Sequence, residues 1–513
     1  SDRLSHDLKT LSREYLGYDT GSQDRVQDFL KETFAAEHWH NYAKVPIDIL
    51  GEYACDDVLM NRKLYKFLME KLDEEQNSLW ETEKKLTSIL FDMEYIGLRT
   101  DKKECMIESY KALHNMITAS NTISELADRE FTNSSKCIYD ILINQFDMPV
   151  IATIKEKEKG REVDTGRPTF DSDALALYGV HPMALADKKL SEIIKAITIY
   201  RKESQFKSLY PDSFQILADD DMMIHTTYNQ TVRTGRMSAK RPNSQQQNKR
   251  SKALIHPRIG YGFISCDYSQ IEFRLIVHYI KDVALIKAYN EDPSTDFHQW
   301  VADMMLVTRP VGKTLNFGMA YGAGKRKVIN DLISNPDVIE EMSIRVNVML
   351  DKGEISVEER DEIFRKLCRI HAGSAFETYH EKIPSLKGTS DRAANACKMR
   401  GYIFNAYGRR RHLPNRASYK AFNSLIQSCA MDLMKERMVA LSPRFNKKMK
   451  DWDIRLAANV HDELLFECPL VLIHNKEVKD YIVSMLESPS IEFRVPIITG
   501  YSVSEKDWAE AGS

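Results

Sequence analysis

Apolar positions along the chain change period several times, and each period predicts a different element. Between 83 and 97, Leu86, Ile89, Leu90, Met93 and Ile96 recur at helical spacing and Gly97 ends the run, so an amphipathic helix with a firm C-terminus is expected. Phe263, Ile264, Ser265 and Cys266 form a short, nearly unbroken apolar run between Gly262 and Asp267. So short a run predicts a buried strand that delivers Asp267 at its end. The stretch 456–468 reads as two strands, LAANV and LLFEC, joined through His461, Asp462 and Glu463, which sets polar groups at the turn of a hairpin. Residues 309–320 carry a proline only at Pro310, where a first turn tolerates it, and predict a helix. Residues 423–439 predict another, with Asn423 and Gln427 one turn apart on one face. The polar stretch 150–172, with its Gly166-Arg167-Pro168 turn, predicts a flexible connection after a helical unit. No fixed-period repeat is present, which excludes a solenoid.

Composition narrows the class. The 513 residues exceed what one core serves and imply about three or four units. With 43% hydrophobic and 29% charged residues the chain is an ordinary globular sequence, so disordered and fibrous classes drop out. No uncharged stretch is long enough to span a bilayer, and residues 1–10 lack the basic and apolar segments of a secretory signal, so no membrane partner and a cytoplasmic setting are expected. The eight cysteines include no C-x-x-C pair, which argues against a zinc cluster or disulfide framework and predicts reduced core residues. A formal net charge of −3 does not mark a nucleic-acid binder. Basic residues nevertheless gather at 241–252, 324–327 and 408–412, and acidic ones dominate 336–363. Each basic run by itself reads as solvated surface.

The candidate chemistry lies at the strand ends. Two carboxylates there, Asp267 and Asp462, would hold two divalent cations about 3.5–4 Å apart, the arrangement for in-line phosphoryl transfer. Two magnesium ions fit, because magnesium takes carboxylates plus substrate phosphates and keeps several waters. Either aspartate alone would be a turn residue. On the helix from 309, Arg309, Lys313, Phe317 and Tyr321 recur every four residues, cations first and aromatics last. Such a stripe would clamp a triphosphate while its rings pack on sugar and base. Gly312, Gly318 and Gly322 strengthen the reading, since glycine within a helix costs up to about 1 kcal/mol and marks close approach by another group.

In this order DYSQIE (267–272), R-x3-K-x3-F-x3-YG (309–322) and HDE (461–463) resemble the three polymerase motifs of family A DNA polymerases, the bacterial DNA polymerase I group. TVRTGRMSAKRPNSQ (231–245), GYIFNAYGRRRHLP (401–414) and N-x3-Q (423–427) extend the resemblance over most of the chain from about Glu83. YGAGKRK (321–327) is closer to the phage replicative branch. The resemblance implies an α+β, right-hand polymerase with an antiparallel palm sheet, a helical thumb and helical fingers, preceded by a partial exonuclease-like α/β segment. It places the exonuclease remnant at 1–82, the thumb and connection at 83–215, the palm at 216–281 and 398–513, and the fingers at 282–397. It makes Asp267 and Asp462 the metal pair, Arg309 and Lys313 the phosphate grip with Lys313 also catalytic, and Phe317, Tyr321 and Gln270 nucleotide contacts. Glu272 becomes the steric gate against a ribose 2′-OH. Arg236, Asn423, Gln427 and His461 match minor-groove contacts to primer-template DNA, and Lys207 and Ser208 match a DNA-phosphate contact. The implied partners are primer-template DNA and deoxynucleoside triphosphates, acting on a monomer. HDLKTLSREYLG (6–17) with Tyr53 and Asp57 resembles the end of the family's 3′→5′ exonuclease domain, whose first two motifs lie upstream of this segment, so the chain is expected not to proofread.

Some departures accompany the likeness. The intervals 242–267 and 298–309 are short for the family, 324–379 is long and acidic, and Ser244 stands where the family has an apolar residue. Two rival readings remain at this point: a single-subunit RNA polymerase, against which Glu272 argues, and a catalytically silent DNA-binding accessory protein, against which Asp267, Asp462 and Lys313 argue.

Overall fold

Residues 7–512, except 19–20, 159–160, 306, 323, 334–335 and 357–358, are described by the computed structural model. Its centre is a four-stranded antiparallel sheet built from β1 (Tyr261–Asp267), β2 (Arg455–Val460), β3 (Glu463–Pro469) and β4 (Ser502–Ser504), in the order β2-β3-β1-β4. Alternate side chains enter two different cores: Ile264, Cys266, Leu464 and Phe466 join the largest apolar cluster, while Phe263 and Leu465 join another that also holds Trp508 from the C-terminal helix Trp508–Ala511. Burial on both faces is why the Phe263–Cys266 segment reads as a continuous run rather than an alternation. In register, Glu463 lies opposite Asp267, and Val460 pairs with Glu463, which leaves His461 and Asp462 as a two-residue hairpin turn. His461 takes the left-handed conformation such a turn requires, at φ 54°.

Helices pack around this sheet. The one expected from 83 begins at Glu74, because Asp73 and Gln76 form a reciprocal capping box, and it ends at Gly97 as expected. The helices Lys102–Ala127 and Lys188–Lys207 pack together over a separate core that includes Ile123, Ile193 and Ile197. Between them, 150–172 is not the flexible connection expected. Thr153–Glu158 and Arg161–Pro168 form an antiparallel hairpin. Its strands escape sequence reading because charge masks the period, yet the charges pair across the strands: Lys155 faces Asp164, and Glu156 bonds Arg167. The acidic stretch falls largely within Pro336–Asp351 and Arg360–Lys382, both helical as expected.

The leading segment, expected as part of an α/β unit, contributes only helices among its described residues: Leu8–Leu16, Gly21–Thr33 and Ile47–Met69, with short 3-10 turns between. All eight cysteines are free and seven are buried; Cys55 is exposed, on the solvent side of Ile47–Met69, contrary to the core position expected of it. Among the described residues no helix is long and apolar enough to cross a membrane.

Candidate active site

Asp267 ends β1 and Asp462 occupies the β2–β3 turn beside it. The turn is fixed by its backbone. Buried Asn459 donates from Nδ2 to the carbonyls of His461 (3.4 Å) and Glu463 (3.3 Å), and the Tyr268 amide donates to the Asp462 carbonyl at 3.1 Å. Glu463, the third acid of HDE, is committed elsewhere. Its carboxylate accepts from Ser265 Oγ (2.7 Å), Trp508 Nε1 (2.8 Å) and Lys252 Nζ (2.6 Å). Two carboxylates therefore remain available at the strand ends.

Their electrostatics favour a cation. Burial, then repulsion from Asp462 and Glu463, pushes Asp267 up to about 7, against the pull of Lys252 and Lys313. Burial likewise raises Asp462. Adjacent buried carboxylates that resist ionisation gain most from a divalent ion, which removes both desolvation and repulsion at once. Among the described residues no three His, Cys, Asp or Glu side chains are grouped to hold a metal. The protein would thus supply two carboxylates and leave other positions to water and substrate, a donor set that suits magnesium rather than structural zinc.

The helix Arg309–Ala320 forms with the bounds expected and faces this pair. Lys313 is exposed, yet its charge opposes the upward shifts of Asp267, Asp462 and Glu272, so the ammonium lies within electrostatic reach of the carboxylates. Arg309 donates from Nε to Asp296 Oδ2 at 2.7 Å. Phe317 and Tyr321 stack with centroids 5.8 Å apart and ring planes 17° apart, and Phe317 also packs on His298. The Tyr321 hydroxyl donates to Glu272, whose other oxygen accepts from Arg236 Nη2 at 2.8 Å. Burial raises the Glu272 pKa, and Arg236 opposes that rise. Asp267, Asp462, Lys313, Glu272, Arg236 and Tyr321 therefore form one electrostatic unit.

The glycines divide. A Cβ on Gly312 would come within 2.7 Å of Ala302 Cβ and 2.8 Å of the His298 carbonyl, so the close approach is made by the neighbouring helix Phe297–Met305. Gly318 meets nothing within 4 Å, and Gly322, at φ +77°, ends the helical segment. Gln270 is used internally: its side chain donates to the Thr295 carbonyl and accepts from the Phe297 amide. Asn423 and Gln427 lie on Ala421–Leu441, and Asn423 Oδ1 is buried with no hydrogen-bond partner.

Other predicted residues stand apart. Lys207 pairs with Asp212 at 2.6 Å, and Ser208 opens the turn Ser208–Asp212. Asp57 pairs with Lys9, whose ammonium also sits 4.9 Å from the Tyr53 ring centroid. Burial and the Asp57 hydrogen bond push the Tyr53 hydroxyl up to about 12. Sequence reasoning missed Asn459, Asp296 and Lys252, along with a buried chain in which Tyr379 donates to Asn316 and Asn316 meets His298 at 3.1 Å. Burial lowers His298 to about 4, so it is neutral. Apart from Asn459, which bonds two and four residues along its own hairpin, each acts through a partner distant in sequence, and none belongs to a motif.

Known proteins share this arrangement of sequence and fold. A family model described as DNA polymerase family A matches residues 102–342 and 364–510. The chain is 26% identical over 495 residues to the thermostable DNA polymerase I of Thermus thermophilus, covering 90% of this chain and 52% of that one. It is 26% identical over 543 aligned positions to DNA polymerase I of Pseudomonas aeruginosa, covering 100% of this chain and 52% of that one. It thus spans about half the length of these curated relatives. A solved structure, the POL domain of Pol1 from M. smegmatis in complex with DNA primer-template and dNTP, superimposes with a TM-score of 0.71 at 21% identity, over 99% of this chain and 80% of that one. The expected right-hand α+β fold is the fold found, and the family match covers more than half of the chain, so the chain belongs to DNA polymerase family A.

Proposed function

We propose that this chain is a template-directed DNA polymerase that adds deoxynucleoside triphosphates to a primer 3′-OH and releases pyrophosphate. The observation that carries the reading is the buried Asp267–Asp462 pair facing Lys313 and the Glu272–Tyr321–Arg236 cluster. Asp267 and Asp462 would hold two magnesium ions. Bound there, the ions would supply a lowered pKa at the attacking hydroxyl and charge neutralisation at the leaving pyrophosphate. Arg309 and Lys313 bind the triphosphate, and Lys313 also stabilises the charge that develops on it. Phe317 and Tyr321 present a stacked face to base and sugar, while Glu272, fixed by Tyr321 and Arg236, fills the space a 2′-OH would need. Asn423 and Gln427, with Arg236 and His461, meet the primer-template minor groove, whose acceptors are shared by correct pairs.

In this reading 83–215 is the thumb and connection, with Lys207 and Ser208 on DNA phosphate, 216–281 and 398–513 the palm, and 282–397 the fingers. The chain works as a monomer in the cytoplasm, and YGAGKRK favours the phage replicative branch. Residues 1–82, with Tyr53 and Asp57, are an exonuclease remnant that does not proofread, a reading supported by the capture of Asp57 by Lys9. Primer extension with labelled nucleotides tests the activity. The chain should extend with deoxynucleotides in magnesium, and Asp267→Ala and Asp462→Ala should each abolish extension while sparing primer-template binding, which rests on phosphate contacts spread over the surface. Near-normal turnover by either variant would overturn the assignment.

A further inference from the structure

Against Gly235 the fold gathers four charges, two of them fully buried, that the reading above leaves unused. Asp432 and Lys435, each with a side chain only 1% exposed, lie on Ala421–Leu441. Arg409 donates from Nε and Nη2 to Asp432 Oδ1 at 2.9 and 2.7 Å, and from Nη2 to Glu83 as well. Lys435 donates to Glu83 at 2.6 Å, and Gln230 Nε2 donates to the other Glu83 oxygen at 2.9 Å. Asn405 completes the set. Its Nδ2 donates to Asp432 at 2.7 Å, and its Oδ1 accepts from the amides of Tyr407 and Arg409, which closes the turn that presents the guanidinium. Burial would raise the Glu83 pKa, but Lys435 and Arg409 hold it below its ordinary value. One neutral cluster thereby ties Glu74–Ile96, Gln230, the 405–409 turn and Ala421–Leu441 together.

Buried ion sets of this kind add little net stability, because desolvation cancels most of the attraction; their attested use is to fix geometry. Here the geometry fixed is that of Gly235. At φ +79°, a Cβ on Gly235 would stand 3.0 Å from Arg409 Nε and 3.1 Å from its Cδ, so the Arg409 side chain is the floor beneath this residue. The next residue is Arg236, which holds Glu272. We propose that Arg409, clamped by Asp432 and Glu83, is a positioning residue that sets Arg236 and, through it, Glu272, so that the buried network governs sugar discrimination. The proposal rests on the reading of Glu272 as the gate. Lysine cannot replace the clamp, since one ammonium does not reproduce a planar fork that meets two carboxylates.

The test measures the ratio of deoxynucleotide to ribonucleotide incorporation efficiencies, which is independent of the fraction of active enzyme. Arg409→Lys should still fold and extend primers, with that ratio reduced at least about fivefold. Arg236→Ala should reduce it similarly, and the double variant should fall no more than about twofold further, because both act on one chain of contacts. An unchanged ratio in Arg409→Lys beside a reduced one in Arg236→Ala would overturn the proposal, as would losses that multiply in the double variant. Should Arg409→Lys fail to fold, Asp432→Asn removes the orienting charge with little change of shape, and the same ratio decides. If Glu272→Ala itself leaves the ratio unchanged, the gate reading falls first and this proposal with it.

Discussion

Replacing Asp267 with asparagine should stabilise the metal-free protein even as it abolishes extension. The carboxyl is raised from 3.8 to about 7 by burial and by its acidic neighbours. A rise of about 3 units at about 1.36 kcal/mol each gives an upper bound near 4 kcal/mol. The Asp267 side chain is only partly buried, and solvent screening takes some of that away, so a gain of about 2–3 kcal/mol is expected at pH 8. Between about pH 4 and 7 the native carboxyl keeps a proton that the unfolded one has lost. Stability therefore falls as pH rises through that window, and the deficit is complete above it. The amide never ionises, so the advantage of the variant should be small near pH 4.5 and largest at pH 8. Urea unfolding in EDTA, followed by far-UV circular dichroism, measures it at each pH. Magnesium should narrow the gap by stabilising the wild type selectively. A variant no more stable than wild type at pH 8, or an advantage that does not vary with pH, would refute the reasoning.

Lys313→Ala should raise the KM for nucleotide and lower kcat, about tenfold or more in kcat/KM, because its charge meets the triphosphate in both ground and transition states; steady-state extension kinetics check this. Gly312→Ala should cost about 1–3 kcal/mol by overpacking, since its Cβ would meet the His298 backbone at 2.8 Å, and thermal unfolding reads the loss. A 3′-mismatched, end-labelled primer incubated with the chain and magnesium should not shorten, and Asp57→Ala should behave identically; stepwise shortening that vanishes in the variant would expose a working exonuclease site.

Much of the site is legible in the sequence because its chemistry is local. Strand ends announce Asp267 and Asp462, and four-residue spacing announces the stripe from Arg309 to Tyr321. What orients these groups lies outside those patterns. Asp296 steadies Arg309 and Asn459 locks the Asp462 turn, yet neither stands in a motif. Glu463 is instructive in the other direction: it belongs to a motif but faces Ser265, Trp508 and Lys252, partners from other segments that no linear pattern couples to it. The hairpin at 153–168 was hidden because its stabilising pairs are charged, whereas strand recognition relies on apolar alternation. The early start of the helix Glu74–Ile96 follows from the Asp73–Gln76 box, a signal written in the sequence ahead of the apolar run.

The bare contact at Gly312 has a mechanical consequence. With no side chain on Gly312, the helix Arg309–Ala320 lies directly against the Ala302 methyl and the His298 carbonyl of Phe297–Met305, and Arg309 is bonded to Asp296 just before that helix. Two helices joined this closely travel as a slab. A displacement of Lys313 that keeps this contact would carry His298 and Ala302 with it, with hinges in the 292–296 turn on one side and at Tyr321–Gly322 on the other, where Gly322 has positive φ. Probes placed on the two helices would keep a constant separation throughout the cycle, while each changed its distance to the sheet.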